Sequence, residues 1–349
     1  MKFLVVGLGG IGQRHVRNLR TLLGPHADIA AYRVRRDSPT LDDRLQVEAG
    51  RDVEEKYGVR GVADLEIALR DKPDAVLVCN PSSLHMEVAL KAAKADCGLF
   101  VEKPLSNDEA HLDELIDLVE KRHLVALVGY QMRFHPCLLR LRTLLTQKAV
   151  GRVVSAHVEV GEYLPGWHTY EDYRQMYASR ADLGGGVVLS QIHELDYVHW
   201  LFGLPRRVFA LGGHLSGLEI DVEDVASALF ECVVDGRAVP VHVHQDYLQR
   251  PPARGCKIIG DAGQIRVDLQ DLSVTVFDAQ GGIAEASDFA GFQRNELFLL
   301  EAEHFLACLR GEETPQVTVR DGAQSLRMAL AIKESLMTGR VVELGRKPA

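Results

Sequence analysis

No stretch of this 349-residue chain approaches the roughly 20 consecutive apolar residues that a membrane-spanning helix needs, so a helical membrane protein is excluded. Positive charge is not in excess either. The formal net charge is -9, which argues against nucleic acid as the main partner while leaving room for a local basic pocket. The six cysteines, at 79, 97, 137, 232, 256 and 308, form no CxxC pair, which disfavours a zinc site or a disulfide framework. They read as buried free thiols. Internal repeats and low-complexity linkers are absent. The chain begins Met1-Lys2-Phe3-Leu4-Val5-Val6 with no long apolar segment and no small-residue cleavage site, which reads as a mature, cytoplasmic start. What remains is an ordinary globular composition, 46% hydrophobic and 26% charged, at a length that suits two domains.

Residues 2 to 6 form a continuous apolar strand, and Gly7-Leu8-Gly9-Gly10-Ile11-Gly12 follows at once. Apolar spacing at Ile11, Val16, Leu19, Leu22 and Leu23 then predicts a helix. A GxGxxG on Gly7, Gly9 and Gly12 is weak alone, but between a first strand and a first helix it is a dinucleotide-binding fingerprint. The first glycine makes the tight turn, the second lets backbone approach a pyrophosphate, and the third lets helix pack on strand. Gly10 and Ile11 belong to the same cradle. The second strand, Ile29 to Val34, ends in Tyr32-Arg33-Val34-Arg35-Arg36. An NAD site usually places an acid here to hold the ribose hydroxyls, whereas Arg33, Arg35 and Arg36 suit a 2′-phosphate, so NADP is favoured with NAD possible. The competing reading is a solvated basic strand end.

Strand and helix continue to alternate to residue 129, predicting a parallel sheet. The strand 74–79 breaks into Asn80-Pro81-Ser82-Ser83, turn chemistry with exposed amides where a cofactor belongs, and His85 opens the next helix. A further buried strand ends in Leu99-Phe100-Val101-Glu102-Lys103-Pro104, and Pro104 stops its ladder at Lys103. That places Glu102 and Lys103 at the carboxyl edge where open α/β sheets bind ligands. A surface lysine in a turn is the bland alternative.

After Gly129 the pattern changes. Gln131-Met132-Arg133-Phe134-His135-Pro136 leads into a helix near 137–148, then Arg152 to Tyr163 alternates as a half-solvated antiparallel strand does. Strand-like runs recur at 208–215, 226–234, 239–247, 256–259, 264–269 and 274–277, with helices at 298–310 and 322–336. The expected architecture is α/β: a Rossmann domain over residues 1–129 and, over 130–349, an α+β domain with a large, mostly antiparallel open sheet.

These elements together resemble the Gfo/Idh/MocA oxidoreductase family over essentially the whole chain. The match rests on the GxGxxG, the Asn80-Pro81 turn with His85, Glu102-Lys103-Pro104, Arg133-Phe134-His135-Pro136, and Gly184-Gly185-Gly186 followed by His193-Glu194-Leu195-Asp196 and Trp200-Leu201-Phe202-Gly203. The resemblance implies NAD or NADP moving hydride to or from a secondary alcohol or ketone carbon of a sugar, nucleotide sugar or cyclitol. It also implies a homodimer or homotetramer built through the second-domain sheet. Its motifs make Ser83, His85, Glu102 and Arg133 candidate cofactor contacts, place Lys103 beside nicotinamide and substrate hydroxyl, and make His193 the acid/base. Many members carry an aspartate four residues before this histidine; Leu189 stands there, so Asp196 takes over part of that role or the substrate is held differently.

Removing hydride from a secondary alcohol leaves a proton on oxygen, which needs an acceptor near neutral pH. His193 is assigned as base and Lys103 as hydrogen-bond donor and stabiliser of the developing alkoxide. A helix histidine packed near Trp200, or bonded to Asp196, is the alternative. Metal chemistry is not expected: HExxH would require a histidine at position 197, which is Tyr197. The aromatic loop 162–170 supplies Tyr163, Trp167 and His168 as candidate substrate contacts or as an oligomer surface, with Gln191, His193, Asp196 and Lys103 completing the substrate set. Two rival functions stay in view. One is a same-fold enzyme using transient oxidation for elimination or hydrolysis, separable by net cofactor consumption. The other is a non-catalytic NADP-binding regulator.

Overall fold

The computed structural model describes residues 1–34, 39–42 and 46–345. It falls into two compact units. The first holds Met1–Tyr130, Asp182–Gly184 and Phe298–Ala323; the second holds Gln131–Ala181, Gly185–Leu297 and the chain from Gln324 onward.

In the first unit β1 (Lys2–Val6), α1 (Gly10–Leu23), β2 (Asp28–Tyr32), α2 (Val53–Tyr57), β3 (Arg60–Val62), α3 (Leu65–Arg70), β4 (Ala75–Val78), α4 (His85–Lys94), β5 (Gly98–Glu102), α5 (Leu112–Lys121) and β6 (Ala126–Gly129) alternate as expected. Their strands form one parallel sheet in the order β3-β2-β1-β4-β5-β6. This is the doubly wound order, whose direction reverses between β1 and β4, so the ligand crevice lies at the carboxyl ends of those two strands. The all-apolar strands of the sequence are explained by burial on both faces: β4, β5 and β6 are buried at every residue. On one face Phe3, Val5, Leu77, Phe100 and Leu127 pack with Val16 and Leu19 of α1 and with Phe305 and Leu306. The last two lie on α9 (Arg294–Leu309), which explains why residues 298–323 group with this unit although they follow position 130 in sequence.

The second unit contains α6 (Pro136–Thr146), β7 (Val153–Gly161), α7 (Val187–Ser190), α8 (His193–Phe202), β8 (Arg207–Gly213), β9 (Val225–Val234), β10 (Arg237–Asp246), β11 (Ala253–Gly260), β12 (Gly263–Asp268), β13 (Ser273–Asp278), β14 (Ile283–Asp288), most of α10 (Val319–Thr338) and β15 (Val342–Glu343). The sheet order is β14-β13-β12-β11-β7-β10-β9-β8-β15. Every adjacent pair is antiparallel except β7 with β10, which run parallel in the middle of the sheet. One face is buried through Ala156, Val158, Ala228, Phe230, Val241, Val243 and Ile258. The other leaves Leu229 at 50% and Leu211 at 64% exposure beside His157, His242 and His244.

Helix α6 is capped by His135, whose Nδ1 accepts the Cys137 N–H at 3.2 Å, with Pro136 at the first helical position. Burial pushes the His135 imidazole down to about 4, and the neighbouring Arg254 charge adds to this. A folded-state value below the unfolded one means the neutral ring's contribution is complete above pH about 6.5 and is lost as pH falls through about 4. Chemical unfolding should therefore show about 3 kcal/mol of stability disappearing over that window. His135→Asn, which keeps a capping oxygen without a titrating ring, should flatten the profile; an unchanged slope would refute the assignment.

Candidate active site

The glycine cradle is set by how close β1 comes to α1. Gly7 has φ +99°, and a Cβ there would lie 2.8 Å from the Cys79 carbonyl oxygen. A Cβ on Gly12 would lie 2.0 Å from the Gly7 carbonyl oxygen, whereas one on Gly9 would meet nothing within 4 Å. Two glycines are thus demanded by packing and the third faces open space, as a pyrophosphate approaching the backbone requires. The first helical bond of α1 runs from Gln13 N–H to the Gly9 carbonyl, so the amides of Gly10, Ile11 and Gly12 have no partner within the helix, and no acid stands in its first turn. Gln13, which sequence reasoning missed, is fully buried and ties this loop down: its amide donates to the carbonyls of Leu8 and Pro39 and its oxygen accepts from Leu41 N–H.

At the end of β2, Arg33 donates to Glu54 at 2.9 Å and lies 3.6 Å from Asp52, so its guanidinium is engaged by α2 and its N-cap and is not a free phosphate fork. Arg35 and Arg36 lie outside the described residues.

Across the switch point, Asn80 follows β4 with Pro81. Its Oδ1 is buried and, among the described residues, has no hydrogen-bond partner, an acceptor waiting for a donor beside the cradle. Together with the open Gly9 position and the free helix amides it fits a dinucleotide. Ser83 sits in the 3-10 turn before α4 and lines a cleft of about 370 Å³ with Met86, Leu90 and Asn107. His85 is corrected from cofactor contact to strut. It is 1% exposed, and its two ring nitrogens lie 2.7 Å from the Pro104 carbonyl oxygen and 2.8 Å from that of Asn80, joining the turns after β4 and β5. Burial pulls its pKa down. Glu102 is likewise buried, held by His15 at 2.6 Å and accepting the Lys103 amide at 3.2 Å. Lys103 itself is half-buried at the carboxyl edge of β5.

In the second unit His193 opens α8, buried at 5% exposure. The two acids that follow it turn inward. Asp196 forms a bidentate pair with Arg133, at 2.9 and 2.8 Å, and accepts from Ser325 at 3.1 Å. Glu194 is paired to Arg254 at 2.8 and 3.2 Å. The structure thus departs from the expectation that Asp196 would serve His193: its carboxylate is turned to Arg133 and Ser325, and carboxylate and guanidinium, two buried charges, satisfy each other. Burial pushes the Asp196 carboxyl up and the Arg133 guanidinium pulls it back. Leu189 is core, at 2% exposure.

The end of β10 gathers several of the remaining candidates. Gln191 donates to the Asp246 carbonyl at 2.9 Å while Gln245 donates to the Gln191 carbonyl at 2.8 Å. Glu162 and Leu164 amides donate to the Asp246 and Tyr247 carbonyls, and Trp167 packs edge-on to Tyr247 at 5.2 Å. Gln191 Oε1 and Trp167 Nε1 are buried and without hydrogen-bond partners among the described residues, one acceptor and one donor as a hydroxyl ligand needs. Tyr163 is covered by the Arg250 guanidinium at 3.9 Å, and His168 is bonded to Glu171 at 3.0 Å and stacked on Tyr170. His242 and His244 lie on the open sheet face, bonded to Ser227 and Asp246.

A dinucleotide cradle on a doubly wound sheet, with a lysine at the sheet's carboxyl edge and a second unit built on an open sheet, defines a two-domain nicotinamide-linked oxidoreductase. The chain belongs to the Gfo/Idh/MocA family: residues 1–130 match the model described as oxidoreductase family, NAD-binding Rossmann fold, and 138–266 match the GFO/IDH/MocA C-terminal domain. It is 27% identical to a myo-inositol 2-dehydrogenase of Thermotoga maritima, over 99% of this chain and 98% of the relative. It is 26% identical to a scyllo-inositol 2-dehydrogenase (NAD(+)) of Bacillus subtilis, over 99% and 96%. Among solved structures, levoglucosan dehydrogenase in complex with NADH and levoglucosan superposes with a TM-score of 0.81 at 18% identity, over 99% of this chain and 100% of that one, a likeness of fold.

The cradle geometry separates two substitutions. Gly12→Ala should destabilise the protein by about 1–3 kcal/mol, because its methyl has no room, whereas Gly9→Ala should melt like wild type yet bind NADH at least about tenfold more weakly. Thermal melting with NADH fluorescence titration checks both.

Proposed function

We propose that this protein is an NAD(P)-dependent dehydrogenase or reductase acting on the CH–OH group of a sugar, nucleotide sugar or cyclitol. The observation that carries the reading is the pairing, on one sheet edge, of a cradle shaped for a dinucleotide with Lys103 at the end of β5. The names of the two inositol dehydrogenase relatives support the substrate class and NAD. When bound, the nicotinamide supplies the hydride acceptor or donor. In the oxidative direction His193 takes the hydroxyl proton, and Lys103 donates a hydrogen bond to the oxygen and stabilises its developing charge; in reduction the same groups return the proton. Gln191 and Trp167 hold further hydroxyls through their unpartnered acceptor and donor. The free thiols, buried in every case, suit a reducing cytoplasm. The open face of the nine-stranded sheet, with Leu211 and Leu229 exposed, is the surface proposed for homodimer or homotetramer contact, and light scattering reads the copy number.

A thermal-shift screen of polyols and nucleotide sugars with NAD+ or NADP+ should return a cofactor-dependent ligand, on which wild-type turnover is then measured. Lys103→Ala and His193→Ala should each lower kcat by about 10² to 10⁴ with NADH affinity within about threefold. Intact turnover in either variant would overturn its role. The arginines at the end of β2 support use of NADP as well as NAD, and because Arg33 is engaged, the 2′-phosphate falls to Arg35 and Arg36. The double variant Arg35→Ala/Arg36→Ala should weaken NADPH binding at least about tenfold and NADH little, and equal losses would refute phosphate recognition there.

A further inference from the structure

His15 lies on α1 three residues past Gly12, at 2% exposure. Its Nε2 is 2.6 Å from Oε1 of Glu102, at the end of β5. Its ring stands edge-on to Phe100 at 4.8 Å and to Phe298 at 6.3 Å. The other oxygen of the same carboxylate accepts the backbone N–H of Lys103 at 3.2 Å. A single buried carboxylate therefore holds the cradle helix on one side and the lysine's backbone on the other.

Packing alone does not explain the histidine. A leucine or phenylalanine would fill the space against Phe100 and Phe298 without burying a polar ring beside a carboxylate, an arrangement that is costly unless the geometry is good. What only the imidazole supplies there is a donor to Glu102 Oε1. Without that donor, a carboxylate at 6% exposure loses its bond to α1 and is free to turn away from Lys103.

We propose that His15 is a positioning residue for Lys103: by fixing the Glu102 carboxylate it fixes the backbone from which the lysine side chain departs, and it does so from the helix that carries the dinucleotide. The proposal rests on the dehydrogenase reading for what Lys103 does, but its geometric content can be tested without turnover. Acylation of lysines by acetic anhydride, followed by peptide mass spectrometry, reads the environment of Lys103 against the other lysines as internal standards. In His15→Ala the relative labelling rate of Lys103 should change at least about threefold, with and without NADH, and kcat on the ligand found above should fall about 10- to 100-fold with KM little altered. His15→Gln, which restores an N–H donor, should recover most of both, and Glu102→Gln should add little to His15→Ala if the two act through one bond. A purely structural histidine would instead lower the melting temperature and leave labelling and kcat at wild-type values in the folded variants, and that result overturns the proposal. Should wild type turn over no polyol or nucleotide sugar, the dehydrogenase reading fails, while the labelling of His15→Ala and His15→Gln still decides the role of His15.

Discussion

Helix α8 is held by two ion pairs whose carboxylates are enclosed, and the placement of its first turn depends on them. Arg133 grips Asp196 and Arg254 grips Glu194, both acids being completely enclosed. A charge buried this way cannot be left alone: removing one partner of such a pair costs about 3–5 kcal/mol, because the survivor keeps its desolvation penalty. Each pair therefore works as a fixed-length tether. The acids sit in the first turn, where they also complement the positive end of the helix, so the residue that opens the helix, His193, is presented by a rigid mount.

The first unit achieves the same rigidity by a different means. Contact between Gly7 and Gly12 leaves no space for a side chain, and Gln13 bolts the loop to the segment around Pro39 and Leu41. His85 spans the turns after β4 and β5, and Glu102 spans α1 and β5. Polar side chains buried at loop ends act as struts here, so the cradle and the lysine stand on one continuous support.

Much of this was legible in the amino-acid order, and the failures have physical reasons. The fingerprint between β1 and α1 and the parallel sheet follow from patterns in which chemistry and spacing agree. Residue roles were harder. Arg133, Asp196 and His85 lie in motifs, but a motif marks a position and not whether its side chain faces a ligand or a partner in the core, and all three are buried with partners inside the protein. His15 gave no signal because a lone histidine on a helix looks the same wherever the opposing strand ends. The parallel pairing of β7 with β10 escaped notice because alternation reports which face is buried and says nothing of a neighbour's direction. Strand β14 was missed because Ile283–Asp288 lies at a sheet edge with polar and small residues exposed on it.

The path of the chain has a consequence for how the protein is made. Phe305 and Leu306 belong to the same apolar cluster as Phe3, Phe100 and Leu127, yet about 175 residues separate the last strand of that sheet from them. During synthesis the ribosome releases the dinucleotide-binding sheet long before the helix that covers part of it. At elongation rates of about 5–20 residues per second, the part of that face that α9 covers stays open for roughly ten seconds or more. Residues 131–297, most of the second unit, must be synthesised before the first can close. A nascent chain of this design exposes an apolar sheet face for that interval, which makes it a client for any factor that shields emerging hydrophobic surface.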